Sequence, residues 1–68
     1  EQALPLYRQI GDRLGEANTL LSQARLARAA GEADKARAAY AEAQRMYTAI
    51  GFADWAQVAA AEANQISP

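Results

Sequence analysis

The chain has neither cysteine nor histidine among its 68 residues. Without cysteine no disulfide can staple the fold, and without either residue the usual zinc sites cannot be assembled. The same absences remove the Ser–His and Cys–His pairs on which nucleophilic catalysis is commonly built. Seven basic and eight acidic residues leave a net charge of −1, so no overall pull toward nucleic acid or membrane follows. No apolar run of about eighteen residues suggests a membrane span, and no charged-then-apolar leader suggests a signal peptide. Strict alternation of apolar and polar residues is also missing, which removes a β reading. These absences predict a protein without enzymatic activity or cofactor, and lack of cysteine fits a cytoplasmic location.

What is present is alanine. Apolar residues make up 51% of the chain, and nineteen of the thirty-five are alanine, each burying little area. Helices lined by alanine must approach closely, and a chain this short buries a modest share of its surface. Further stability is expected from additional repeats or from a second chain, so the sequence reads as a piece of a longer array or as a homo-oligomer joined through its end helices, with Leu4, Leu6, Trp55, Val58 and Ile66 as contact residues.

Ala3, Tyr7, Ile10 and Gly11 return forty positions later as Ala43, Tyr47, Ile50 and Gly51, with Leu6 matched by Met46. Self-similarity at a fixed period of this size marks stacked helical repeats, each burying its apolar face against its neighbours. Gly11, Gly15, Gly31 and Gly51 fall between periodic segments and read as helix terminators. Four helical segments follow, at roughly 1–10, 14–30, 33–50 and 53–66. In the first, Ala3, Tyr7 and Ile10 share a face, and Pro5 is tolerated near the first turn. Asp12 is placed to cap the second, with Glu16 favouring its positive end.

The second segment is apolar over a wide arc. Ala17, Leu20, Ala24 and Ala27 form one stripe and Thr19, Gln23, Leu26 and Ala30 an adjoining one, as for a helix held between two others. Its remaining side carries Asn18, Ser22, Arg25 and Ala29, flanked by Leu21 and Arg28. The third segment places Ala36, Tyr40, Ala43, Tyr47 and Ile50 on one stripe. The fourth begins near Asp54 and Trp55, matches the second poorly at forty residues and better with one inserted residue (Leu14 to Trp55, Ala17 to Val58), and reads as an atypical terminal helix. Tyr7, Tyr40, Tyr47, Phe52 and Trp55 at helical spacing read as core rather than as a binding platform, with Trp55 the most open to another role. Glu32 and Asp34 stand at a helix entrance, where carboxylates favour the dipole. Gly11 and Gly15 form no phosphate loop, because no strand precedes them and no Lys-Ser/Thr pair follows.

Set side by side, the second and third segments resemble the tetratricopeptide (TPR) repeat. Leu20, Ala24, Ala27, Gly31, Ala36, Tyr40 and Ala43 stand where that family carries its small, turn and aromatic residues. The forty-residue period and the phrase from Ile10 to Asn18 resemble the longer subclass found in Pins-like polarity scaffolds and bacterial signalling proteins. Gln23, Ala24, Ala27 and Ala33 depart from the family pattern. The resemblance implies an all-α fold of antiparallel hairpins in a TPR-type α-solenoid, about one and a half repeats long. Residues 1–10 would be the second helix of a preceding repeat, 14–50 a full pair and 53–66 a capping helix. It further implies a protein-interaction module whose concave groove holds a peptide or protein segment, with Asn18, Ser22, Arg25 and Arg28 as groove residues. Arginine there could grip carboxylates bidentately, favouring an acidic partner. The competing reading of these residues is a solvated polar face, with Arg28 paired to Glu32 four residues on. Competing functions are a self-association element, or a regulatory arm of a larger protein.

Overall fold

The computed structural model describes the backbone of residues 3–66 and the side chains from Arg8 to Ile66, and the regular structure of these residues is all helical. Three helices, α1 (Ala3–Ala29), α2 (Ala33–Ala49) and α3 (Ala53–Asn64), follow one another, and no strand is present among the described residues. Consecutive helices pack together through three-residue turns, giving two helical hairpins that share α2.

Both turns are built the same way. At the end of α1 the Gly31 N–H donates to the Arg28 carbonyl (3.1 Å) and the Glu32 N–H to the Ala27 carbonyl (2.9 Å). At the end of α2 the Gly51 N–H donates to Thr48 (3.1 Å) and the Phe52 N–H to Tyr47 (2.8 Å). This is the Schellman pattern, which satisfies the last helical carbonyls and places a left-handed residue just past the helix. Gly31 and Gly51 supply it, with φ of 79° and 84°. The next helix then starts at once, as the Glu32 and Phe52 carbonyls accept from Ala36 and Ala56. Gly31-Glu32-Ala33-Asp34 and Gly51-Phe52-Ala53-Asp54 are therefore one turn used twice, twenty residues apart.

The first expected break does not occur. Gly11 and Gly15 lie inside α1, so the two segments expected at 1–10 and 14–30 are joined, over the described residues, in one continuous helix from Ala3 to Ala29. Asp12 and Glu16 are consequently helix-interior residues rather than a cap and its companion. The physical reason is that glycine inside a helix costs only about 1 kcal/mol relative to alanine, which does not by itself end the helix. Pro5 falls in the first turn of α1, where its missing N–H removes no intrahelical bond.

The core is an alanine-lined seam closed by two rings. Ala17, Leu21 and Ala24 of α1 meet Ala36, Tyr40, Ala43 and Tyr47 of α2, and Ala56 and Ala59 of α3 complete the buried set. Tyr40 and Tyr47 are the largest side chains fully withdrawn from solvent. The small neighbours bring the helix axes close, and the rings fill what the alanines leave open. Two details of α1 differ from the sequence expectation. Leu21, expected on the margin of the polar side, is buried, whereas Leu26 is 71% exposed. One flank of α1 faces α3, bridged by Arg25 and Arg28, and the opposite flank has no helix against it among the described residues, so the wide apolar arc is half covered. Phe52 packs at the edge of the core, and Trp55 stacks on Tyr47 with ring centroids 6.0 Å apart while remaining 46% exposed. The side chains of Leu4, Leu6 and Tyr7 lie outside the described residues.

α1 also outreaches its partner. Its 27 residues against 17 in α2 leave an N-terminal overhang of roughly 15 Å at the usual helical rise. Residues 8–13 are all exposed accordingly, including Ile10 at 40%.

Candidate functional site

Asn18, Ser22, Arg25 and Arg28 follow the helical period along one flank of α1, and that flank is the one turned toward α3. All four are exposed. The Arg25 guanidinium donates from Nε (2.9 Å) and Nη2 (2.6 Å) to the two carboxylate oxygens of Glu62, a fork-to-fork pair. Arg28 donates from Nη2 to Oε1 of Gln65 at 2.9 Å, so its partner is Gln65 and not the Glu32 expected four residues on. Glu32 pairs instead with Lys35 at 3.7 Å, and Asp34 with Arg37 at 3.1 Å. The Glu32 side chain makes no cap bond to the entrance of α2, so the expected favourable charge at that entrance is supplied by Asp34 in the first turn.

The two bridges share one register. Arg25 to Glu62 and Arg28 to Gln65 both span 37 residues, so α1 and α3 run in the same direction with matching i, i+3 spacing. Beneath the bridges, the buried tyrosines reach outward with their hydroxyls. Tyr40 donates to Oε1 of Glu62 at 3.0 Å, and Tyr47 donates to Oδ1 of Asn18. Each ring thus anchors the core with its body and organises the polar flank with its tip. No buried side-chain polar atom lacks a partner among the described residues.

Ionisation in this network follows from the contacts. The hydrogen bond from Arg25 holds the Glu62 carboxyl below its ordinary value, with a further contribution from Tyr40. The Arg25 guanidinium is raised in turn, first by its bond to Glu62. Burial pushes the phenols of Tyr40 and Tyr47 up, so both remain neutral donors at physiological pH. Chemically the flank offers a guanidinium fork, an amide and a hydroxyl, held by groups whose protonation is fixed near neutrality. No group of three or more potential metal ligands is found among the described residues.

The sequence reading placed Asn18, Ser22 and Arg25 on one strip with Arg28 at its edge, and in the structure all four are exposed, with Arg25 and Arg28 both turned to α3. It did not single out Glu62, Gln65 or the two tyrosine hydroxyls. Their signal was the spacing of Glu62 and Gln65, which repeats that of Arg25 and Arg28 on a parallel helix. A second surface lies on the opposite flank. There Gly15, Thr19, Leu20 and Gln23 of α1, with Glu42 and Met46 of α2, line a groove of about 780 Å³. Among the described residues no helix is long and apolar enough to cross a membrane. No family model matches the chain, and the comparisons with curated proteins and with solved structures likewise give no match.

Proposed function

We propose that the chain is a protein-interaction module of the TPR type, receiving a peptide or protein segment along the flank of α1 that faces α3. The observation that carries this reading is the pair of parallel bridges, Arg25–Glu62 and Arg28–Gln65, which set a row of forked donors and acceptors along an exposed strip. Helical hairpins stacked with their first helices parallel and the internal forty-residue repeat both agree with it. Asn18 and Ser22 extend the strip toward the N-terminal side, offering amide and hydroxyl groups suited to a peptide backbone.

The Glu62 carboxylate already occupies the Arg25 fork, so an acidic partner must compete with it or bind both members as a polar pair. This makes the arginines selective elements rather than a free positive patch, since a partner that leaves Glu62 unpaired incurs a desolvation cost.

The test is a titration of the isotopically labelled chain with a glutamate-rich helical peptide, followed by amide chemical shifts, with a lysine-rich peptide as control. The expected result is shifts concentrated at Asn18, Ser22, Arg25 and Arg28 for the acidic peptide alone. Replacing both arginines with alanine should weaken binding about tenfold, equivalent to about 1.4 kcal/mol. Shifts confined to other faces, or equal affinity in the double variant, would refute the reading.

A further inference from the structure

We propose that the groove on the outer flank of α1 is filled by the N-terminal segment of a second copy of this chain, the two copies exchanging segments reciprocally. This goes beyond the interaction module, because it concerns the opposite flank of α1.

The seat and the segment are both present at the same offset. Ala43, Tyr47 and Ile50 stand forty residues after Ala3, Tyr7 and Ile10. In the structure this later segment packs against α3, with Ala43 and Tyr47 fully buried and the Tyr47 ring stacked on Trp55. The residues of α3 in that interface include Ala56, Ala59 and Ala63. Forty residues ahead of those three stand Glu16, Thr19 and Gln23, and all of them line the empty-flanked groove beside Leu20 and Met46. By position in the repeat the groove on α1 corresponds to the surface of α3 that α2 covers, with polar Glu16, Thr19 and Gln23 where α3 has alanine, and residues 3–10 correspond to the segment that covers it.

The chain's own segment does not reach that groove. Among the described residues, positive φ occurs only at Gly31 and Gly51, so α1 runs through Gly11 without the reversal that Gly51 makes. A continuous helix carries residues 3–10 along its own axis, away from a groove that begins at Gly15. Exposure of residues 8–13, with Ile10 uncovered, leaves this overhang available to another molecule. Charge agrees to the extent that the groove carries Glu16 and Glu42 while Arg8 is the one charged residue of the segment 3–10, with Asp12 and Arg13 offsetting each other just beyond it. Two copies related by a two-fold axis would each supply a segment and a seat, a closed arrangement of the domain-swapping kind.

The absence of cysteine allows a direct test. One preparation carries Ala3→Cys and another Thr19→Cys, and the two are mixed and oxidised. The expected product is a disulfide-linked dimer between the two preparations, together with a species of twice the chain mass in sedimentation of the unmodified chain. Ile10→Asp, at a position outside the buried core, should raise the dissociation constant of that dimer at least tenfold while leaving the helical dichroism per residue unchanged. A monomer at all concentrations would overturn the proposal. So would a dimer indifferent to Ile10→Asp, or an intrachain disulfide in a doubly substituted chain with no cross-link in the mixture. None of these outcomes bears on peptide binding at Arg25 and Arg28.

Discussion

Alanine substitution should separate the four glycines into two pairs with opposite responses. At every one of them an added Cβ meets nothing within 4 Å, so packing drops out and the backbone alone decides. Gly31 and Gly51 hold φ of 79° and 84°, a region where an L side chain costs about 1–2 kcal/mol. Gly31→Ala and Gly51→Ala should each destabilise by about that amount. Gly11 and Gly15 have helical neighbours on both sides, and replacing glycine by alanine inside a helix gains about 0.8–1 kcal/mol. For a domain of this size each kcal/mol moves the melting temperature by about 4–8 °C, so the pairs should separate clearly. The assay is far-ultraviolet circular dichroism against temperature and urea, at one fixed protein concentration because association shifts apparent stability. A Gly11→Ala variant that loses stability as Gly31→Ala does would mean that the chain turns at Gly11, and the continuous α1 would be refuted.

Tyr40→Ala should cost about 3–5 kcal/mol, because a fully buried ring is removed from an alanine-lined seam with little to refill it. Tyr40→Phe keeps the ring and loses the bond to Glu62, which retains its Arg25 fork, so about 1 kcal/mol is expected in the same urea titration. Glu62 is held below its ordinary pKa when folded, so the unfolded chain binds its proton more readily. Stability from this group is therefore fully present above the ordinary glutamate value of about 4.3, and is lost as pH falls below it through the folded value. Melting temperature against pH should show that decline, and Glu62→Gln should flatten it; an unchanged slope would remove Glu62 from the network. Arg25→Ala should cost less than about 1 kcal/mol in thermal unfolding, because its side chain is half exposed and solvent screens the pair.

The sequence and the structure agree best where pattern and punctuation coincide. The segment expected at 33–50 is α2 at Ala33–Ala49; of its expected stripe Ala36, Tyr40, Ala43 and Tyr47 are buried, while Ile50 is the half-buried residue that ends the helix. The segment expected at 53–66 is α3 at Ala53–Asn64. Glycine alone was a poor guide, since the four identical residues serve as two terminators and two helix-interior positions. What distinguishes the terminators is the x-Ala-Asp that follows Gly31 and Gly51, which restarts a helix at once. Gly11 is followed by Asp12-Arg13 and lacks this restart, whereas Gly15 is followed by Glu16-Ala17-Asn18, one residue from the pattern after Gly31, so at Gly15 the local sequence alone does not mark a helix-interior glycine. The strip from Asn18 to Arg28 was legible because it depends on the period of one helix. Its partners were not, because a register between α1 and α3 depends on two turns and on the close approach allowed by alanine. Leu21 and Leu26 exchanged their expected roles for the same reason: the arc that α2 covers is set by where the turn at Gly31 aims the chain.

The two bridges between α1 and α3 also bear on how the molecule comes apart. Among the described residues the main packing lies between helices adjacent in sequence, α1 with α2 and α2 with α3, an arrangement in which stability comes largely from nearest neighbours. Such a chain can fray from either end without disturbing the rest. Arg25–Glu62 and Arg28–Gln65 tie the first helix to the last across 37 residues, and so make the departure of α3 felt in α1. With both bridges rooted in exposed arginines, the tie is weak. Amide exchange in α3 should proceed through detachment of that helix alone, at a free energy below that of α2, and α2 with both tyrosines should be the last unit to open.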